Sequence, residues 1–155
     1  MAANRAYIDG LKLLARRELS EAQVRQRLAR KGHQPDAIDD AITRLRDERA
    51  LDDARVAGAI ARTQASLKGR GRARVRREIE RAGIARPLAD RAVDAAFEGA
   101  DDEALLEEGL RKRLRGRGTI ADEREAGRLY RYLIGQGFDP ERVLAALARR
   151  KAQHD

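Results

Sequence analysis

The chain has 155 residues, 39% of them charged, and Lys plus Arg exceed Asp plus Glu by 34 − 26, a net charge of +8 with no Cys at all. Disulfides and thiolate metal sites are excluded by that count, and no run approaches the 18 or more apolar residues that cross a bilayer. Aromatics are only 3% and Ala supplies much of the 42% apolar content, which favours short, closely packed helices over sheet.

In chain order, Tyr7, Leu11 and Leu14 mark a first helix that ends before Leu19-Ser20. Ser20 with Gln23 forms a capping-box pattern and opens a second helix carrying Val24 and Leu28. Gly32 closes it where a helix C-terminus favours a left-handed residue. Pro35 starts a third helix with Ile38, Ala41 and Ile42 on one face. Asp52 can then cap a helix through Val56, Ala59, Ile60 and Thr63 to about Leu67. Val75 and Ile79 define the next, closed by Gly83, and Ala89, Ala92 and Val93 the one after. From about Asp101 a helix carries Leu105, Leu106, Leu110 and Leu114. Leu129 and Leu133 follow, closed by Gly137, and Asp139 is placed to cap a last helix with Val143, Ala146 and Leu147.

One unit is therefore written three times. QVRQRLARKG (23–32), RVRREIERAG (74–83) and RLYRYLIGQG (128–137) align on their final Gly, with steps of 83 − 32 = 51 and 137 − 83 = 54 residues. Apolar residues four apart fall on one helical face in each copy. The expected fold is all-α: three tandem three-helix repeats, about nine helices, over residues 1–50, 51–99 and 100–155. Small bundles in series form an elongated, curved array in which each touches mainly its neighbours.

LLARRELSEAQVRQRLARKG (13–32), LDDARVAGAIARTQASLKGRGRARVRREIERAGI (51–84) and RLYRYLIGQGFDPERVLAAL (128–147) are similar to the three conserved blocks of the RecX family, in the family's order. The family usually has an aromatic where Val56 stands and often a Trp near Ala100–Asp102; both are differences of core packing. The resemblance implies a non-enzymatic regulator that binds RecA and its nucleoprotein filament. It implies restraint of the recombinase, ATPase and coprotease activities in DNA repair, recombination and the SOS response. It also implies a cytoplasmic protein, and a monomer without cofactor is expected.

A pI near 10.5 independently points to a polyanionic partner. The densest charge runs from Lys68 to Arg86, where eight cations face only Glu78 and Glu80. Arg74, Arg77 and Arg81 form a stripe away from the Val75–Ile79 face, with Lys68, Arg70 and Arg72 at its entry. Arg128 and Arg131 hold the matching stripe in the third copy. Such a stripe suits a phosphate backbone or an acidic groove. Arg111-Lys112-Arg113 complements the dipole of a helix that starts with acid, and Arg149-Arg150-Lys151 reads as a basic tail or a solvated end.

Catalysis has no constellation to rest on. His33 and His154 are far apart, His33 packs or caps in its turn, and no His/Cys/Glu set has metal-ligand spacing. Tyr130 beside Arg131 is the one plausible base-stacking residue, although its spacing also suits a core position. The alternative to filament regulation is a general, sequence-independent DNA-binding repeat protein. No helix groups Arg and Asn as base reading requires.

Overall fold

Capping and apolar spacing produce the expected helices. The computed structural model describes residues 1–152 and is all-α, with nine α-helices and no strand among those residues. They are α1 (Ala2–Arg16), α2 (Glu21–Arg30), α3 (Pro35–Asp47), α4 (Asp53–Arg62), α5 (Arg72–Arg81), α6 (Arg86–Ala96), α7 (Asp102–Leu114), α8 (Glu123–Gly135) and α9 (Pro140–Ala152). His154 lies outside the described residues. None of the described helices is long and apolar enough to cross a membrane.

The predicted caps form. Ser20 and Gln23 make both halves of the capping box on α2. Asp52 accepts the Arg55 N–H at 3.1 Å, and Asp139 accepts the Arg142 N–H at 3.1 Å. Asp101 and Asp122 cap α7 and α8 in the same way. Each satisfies an orphan donor that a helix start leaves exposed, worth about 1 kcal/mol. Gly32, Gly83 and Gly137 adopt φ of +94°, +79° and +98°.

One element differs from the periodic expectation. The helix that opens at Asp53 does not stay α-helical to Leu67 but widens into a π-helical turn, Thr63–Leu67. The Lys68 N–H reaches back five residues to the Thr63 carbonyl at 3.1 Å. The cause is Gln64, a polar residue in a buried position. Its carboxamide oxygen accepts from Arg70 Nη1 at 2.6 Å and its carbonyl from the Arg70 N–H at 3.0 Å. Widening the turn lets both bonds form, as a buried carboxamide requires.

The chain forms two compact units, one from Met1–Ile60 with Glu78–Ala92, the other from Ala61–Arg77 with the chain from Val93 onward. In the first, Leu19, Val24, Leu28, Ile38, Ile42, Leu45 and Leu51 form the core. Ala6, Ala37 and Ala41 let α1 and α3 approach closely. In the second, Leu106, Leu110, Leu114, Ile120, Leu129, Leu133, Val143 and Leu147 do the same work.

Each unit is closed by the same interlock between copies. In the first, the Ser20 hydroxyl donates to the Ala82 carbonyl, and Gly83 lies so near Ala22 that a Cβ would come within 2.5 Å of the alanine methyl. In the second, the Gly71 N–H donates to the Gln136 carbonyl at 2.8 Å and the Ala73 N–H to the Gly137 carbonyl at 3.3 Å. The start of one copy's middle helix therefore rests on the turn glycine of the following copy. Backbone meets backbone because small residues leave room.

A local side-chain hydrogen bond ties α1 to the α2–α3 turn. His33 Nε2 lies 2.6 Å from Asp9 Oδ2, so the turn histidine packs by pairing rather than by capping. The hydrogen bond from His33 holds the Asp9 carboxyl below the usual carboxylate range, and Lys31 and Lys12 add to this. A depressed carboxyl stabilises the fold above its unfolded pKa, about 3.9, and loses that contribution as pH falls through the folded value. Thermal midpoints measured from pH 5 down to pH 2 are expected to fall less in Asp9→Asn than in the parent chain.

Candidate functional site

Sixteen consecutive residues, 62–77, contain no Asp or Glu and carry seven cations: Arg62, Lys68, Arg70, Arg72, Arg74, Arg76 and Arg77. They lie in the second unit and comprise the end of α4, the π turn, the Gly69–Gly71 entry and most of α5. The structure divides them by what each guanidinium or ammonium touches.

Three of the predicted residues are engaged by their own unit. Arg70 is bonded to Gln64. Arg72 Nε lies 3.3 Å from Asp102 Oδ1, and its guanidinium stacks 4.8 Å from the centre of the Phe97 ring. Arg74 Nη1 donates to the Gly135 carbonyl at 2.8 Å, where the end of α8 leaves carbonyls without helical partners. These contacts close the interlock around Gly71 and Gly137, so all three side chains hold the scaffold.

Others are presented to solvent. Lys68 and Arg77 are exposed, and their side chains make no hydrogen bond or ion pair among the described residues. Arg128 and Arg131 on α8 are exposed in the same state, with Arg128 close enough to Glu125 to help hold that carboxyl low. Arg81 belongs to the first unit; it pairs with Glu78 at 3.3 Å while remaining 73% exposed. An exposed pair of this kind is worth well under 1 kcal/mol and yields readily to a phosphate.

Arg62 is exposed at the end of α4 and was not picked out by helical-wheel reasoning. The signal was present, since the acid-free run begins well before Lys68, at Ala54, and Arg62 lies within it.

The remaining cationic clusters are mostly paired. Arg111 and Lys112 both reach Glu108, Arg113 stacks 4.3 Å from the Tyr132 ring, and Arg117 pairs with Glu125 at 2.9 Å. Arg149 and Arg150 fold back onto α7. Burial pushes the Glu107 carboxyl up, but Arg150 and Arg149 beside it outweigh that and hold it below the usual range. The end of α9 is thus fastened down through Arg150.

No group of three His, Cys, Asp or Glu capable of holding a metal occurs among the described residues. The arrangement that the second unit does offer is exposed cations on a packed scaffold, able to meet phosphates or carboxylates without disturbing the core.

Residues 6–45 match a family profile described as "RecX, first three-helix domain", and residues 52–93 one described as "RecX, second three-helix domain". The regulatory protein RecX of Halorhodospira halophila is 36% identical over 95% of this chain and 89% of its own length. That of Chromohalobacter salexigens is also 36% identical, over 90% of this chain and 89% of its own. The crystal structure of RecX from Lactobacillus salivarius superposes with a TM-score of 0.72, covering 96% of this chain and 97% of that one at 18% identity. At that identity the likeness speaks for the fold.

Proposed function

The chain belongs to the RecX family, and from that premise we propose that it binds RecA and the RecA–DNA filament and restrains the recombinase, ATPase and coprotease activities. The observation that carries this reading is the acid-free segment of the second unit, which keeps Arg62, Lys68 and Arg77 exposed and unpaired among the described residues. Arg128 and Arg131 add a second exposed pair in the same unit, and Arg81 a further cation in the first.

The proposed mechanism is occupancy. Cations meet acidic subunit surfaces and DNA phosphates at several points, so modest contacts joined in one chain sum to strong attachment. A molecule held in this way bars partner DNA or effector from the filament groove. No bond is made or broken.

The test is the ATPase of cognate RecA on single-stranded DNA, titrated with this protein at and below equimolar ratio to RecA. A fall in steady-state hydrolysis, with no hydrolysis by the protein itself, is the expected result. Unchanged hydrolysis and equal affinity for DNA with and without RecA would instead favour the general DNA-binding reading.

A further inference from the structure

We infer that the groove between α8 and α9 is a docking site for an amphipathic helix of a partner protein whose first turn is acidic. This surface is separate from the polyanion-facing segment above, and the inference does not depend on that reading.

The molecule supplies its own template. Counted from the turn glycine, the eleventh residue before and the fourteenth after are Glu21 and Arg46 in the first copy, Arg72 and Phe97 in the second, and Ala126 and Lys151 in the third. These pairs mark one groove between the second and third helices of each copy. In the first copy the start of α4 enters it and leaves a hollow of about 870 Å³: Asp53 accepts the Glu21 N–H at 2.8 Å, and Leu51 and Leu88 line the hollow. In the second copy the start of α7 enters it, with Asp102 on Arg72 at 3.3 Å and Leu105, Leu106 and Phe97 lining the cavity that remains. Twice over, the occupant is a helix whose first turn is acidic and whose next residues are apolar.

In the third copy no following helix start enters the groove among the described residues; it is about 800 Å³, lined by Glu123, Tyr130 and Arg131 on α8 and Leu144 and Lys151 on α9. Its chemistry has also changed. The seventh residues on either side of the turn glycine are Arg25 and Asp39 in the first copy, Arg76 and Asp90 in the second, but Tyr130 and Leu144 in the third. Arg25 and Asp39 form an ion pair at 2.7 Å. In their place the third copy presents a half-buried tyrosine and a leucine left 57% exposed. Solvated positions that turn apolar, with a tyrosine among them, are the composition of a binding centre. Arg131 on the rim would meet an acidic first turn, whereas Lys151 is already paired with Glu123 at 2.6 Å. The first helix of a second copy, α1, does not match the template, because it has no acidic residue in its first turn.

The probe is a stapled helical peptide with the sequence of residues 101–114, DDEALLEEGLRKRL, titrated into the full isotope-labelled chain and followed by NMR. Shifts are expected at Gly127, Tyr130, Arg131 and Leu144. Affinity should fall at least tenfold with a peptide carrying Asn-Asn-Gln for Asp-Asp-Glu at its start. The double substitution Tyr130→Arg with Leu144→Asp rebuilds the ion pair of the first copy, so it removes the apolar patch with a pair this fold already accommodates. It should also weaken binding at least tenfold while the chain keeps its helical circular dichroism. No shifts at millimolar peptide, shifts centred elsewhere, or full affinity in the double variant would each overturn the inference. Groove binding by a chain indifferent to RecA would uphold it and sink only the regulator reading.

Discussion

Gly137→Ala is expected to destabilise the second unit by about 2–5 kcal/mol, adding ~1–2 for a left-handed alanine to ~1–3 for overpacking. Gly137 sits at φ +98°, and a Cβ there would collide with the Arg74 backbone nitrogen and come within 2.5 Å of its Cβ. The neighbour is main chain in the first turn of α5, which cannot yield without breaking the bonds from Gly71 and Ala73 to the turn. Gly32→Ala is the matched control: φ is +94°, but nothing lies within 4 Å of the added carbon. It should cost only the backbone strain, ~1–2 kcal/mol. Urea unfolding of the two variants separates conformation from interlock. Equal losses would mean that the contact between copies contributes little.

The joint reversal Lys68→Glu with Arg77→Glu is expected to lower affinity for the RecA–DNA filament by about 10–100-fold and the salt dependence by about two ion equivalents, if both meet phosphates. Both side chains are exposed and unpaired among the described residues, so helicity and melting should not change. Arg111→Glu is the charge-matched comparison. Arg111 is already paired with Glu108 at 2.7 Å, and reversing it should weaken binding far less. Binding measured by anisotropy of labelled DNA filaments distinguishes the two. A drop of the same size in both would reduce the segment 62–77 to a contribution to net charge.

The fold was legible because three copies repeat the same physical instructions. Caps at Ser20, Asp52 and Asp139, turn glycines at fixed intervals, and apolar residues four apart each point to one structure, and all formed. The surface was less legible. A helical wheel places Arg74 outward but cannot show that the end of α8 comes within reach of its guanidinium. Nor can it show that Arg72 finds Asp102 and Phe97, residues contributed from 25 or more positions away. The π turn was hidden for the same reason, since Gln64 gives no sign in its neighbours that Arg70 will fold back to satisfy it. The exchange of Arg25 and Asp39 for Tyr130 and Leu144 stands in the aligned repeats. Only the ion pair of the first copy and the groove of the third, which no helix start enters among the described residues, give it meaning.

The most direct measurement is equilibrium binding of the labelled protein to three targets at one salt concentration: cognate RecA filaments on single-stranded DNA, RecA alone, and the bare DNA. Tightest binding to the filament, lost progressively as salt rises, is what occupancy of the filament groove through exposed cations predicts. Equal affinity for bare DNA and for filament, or no affinity for RecA in either form, would contradict it.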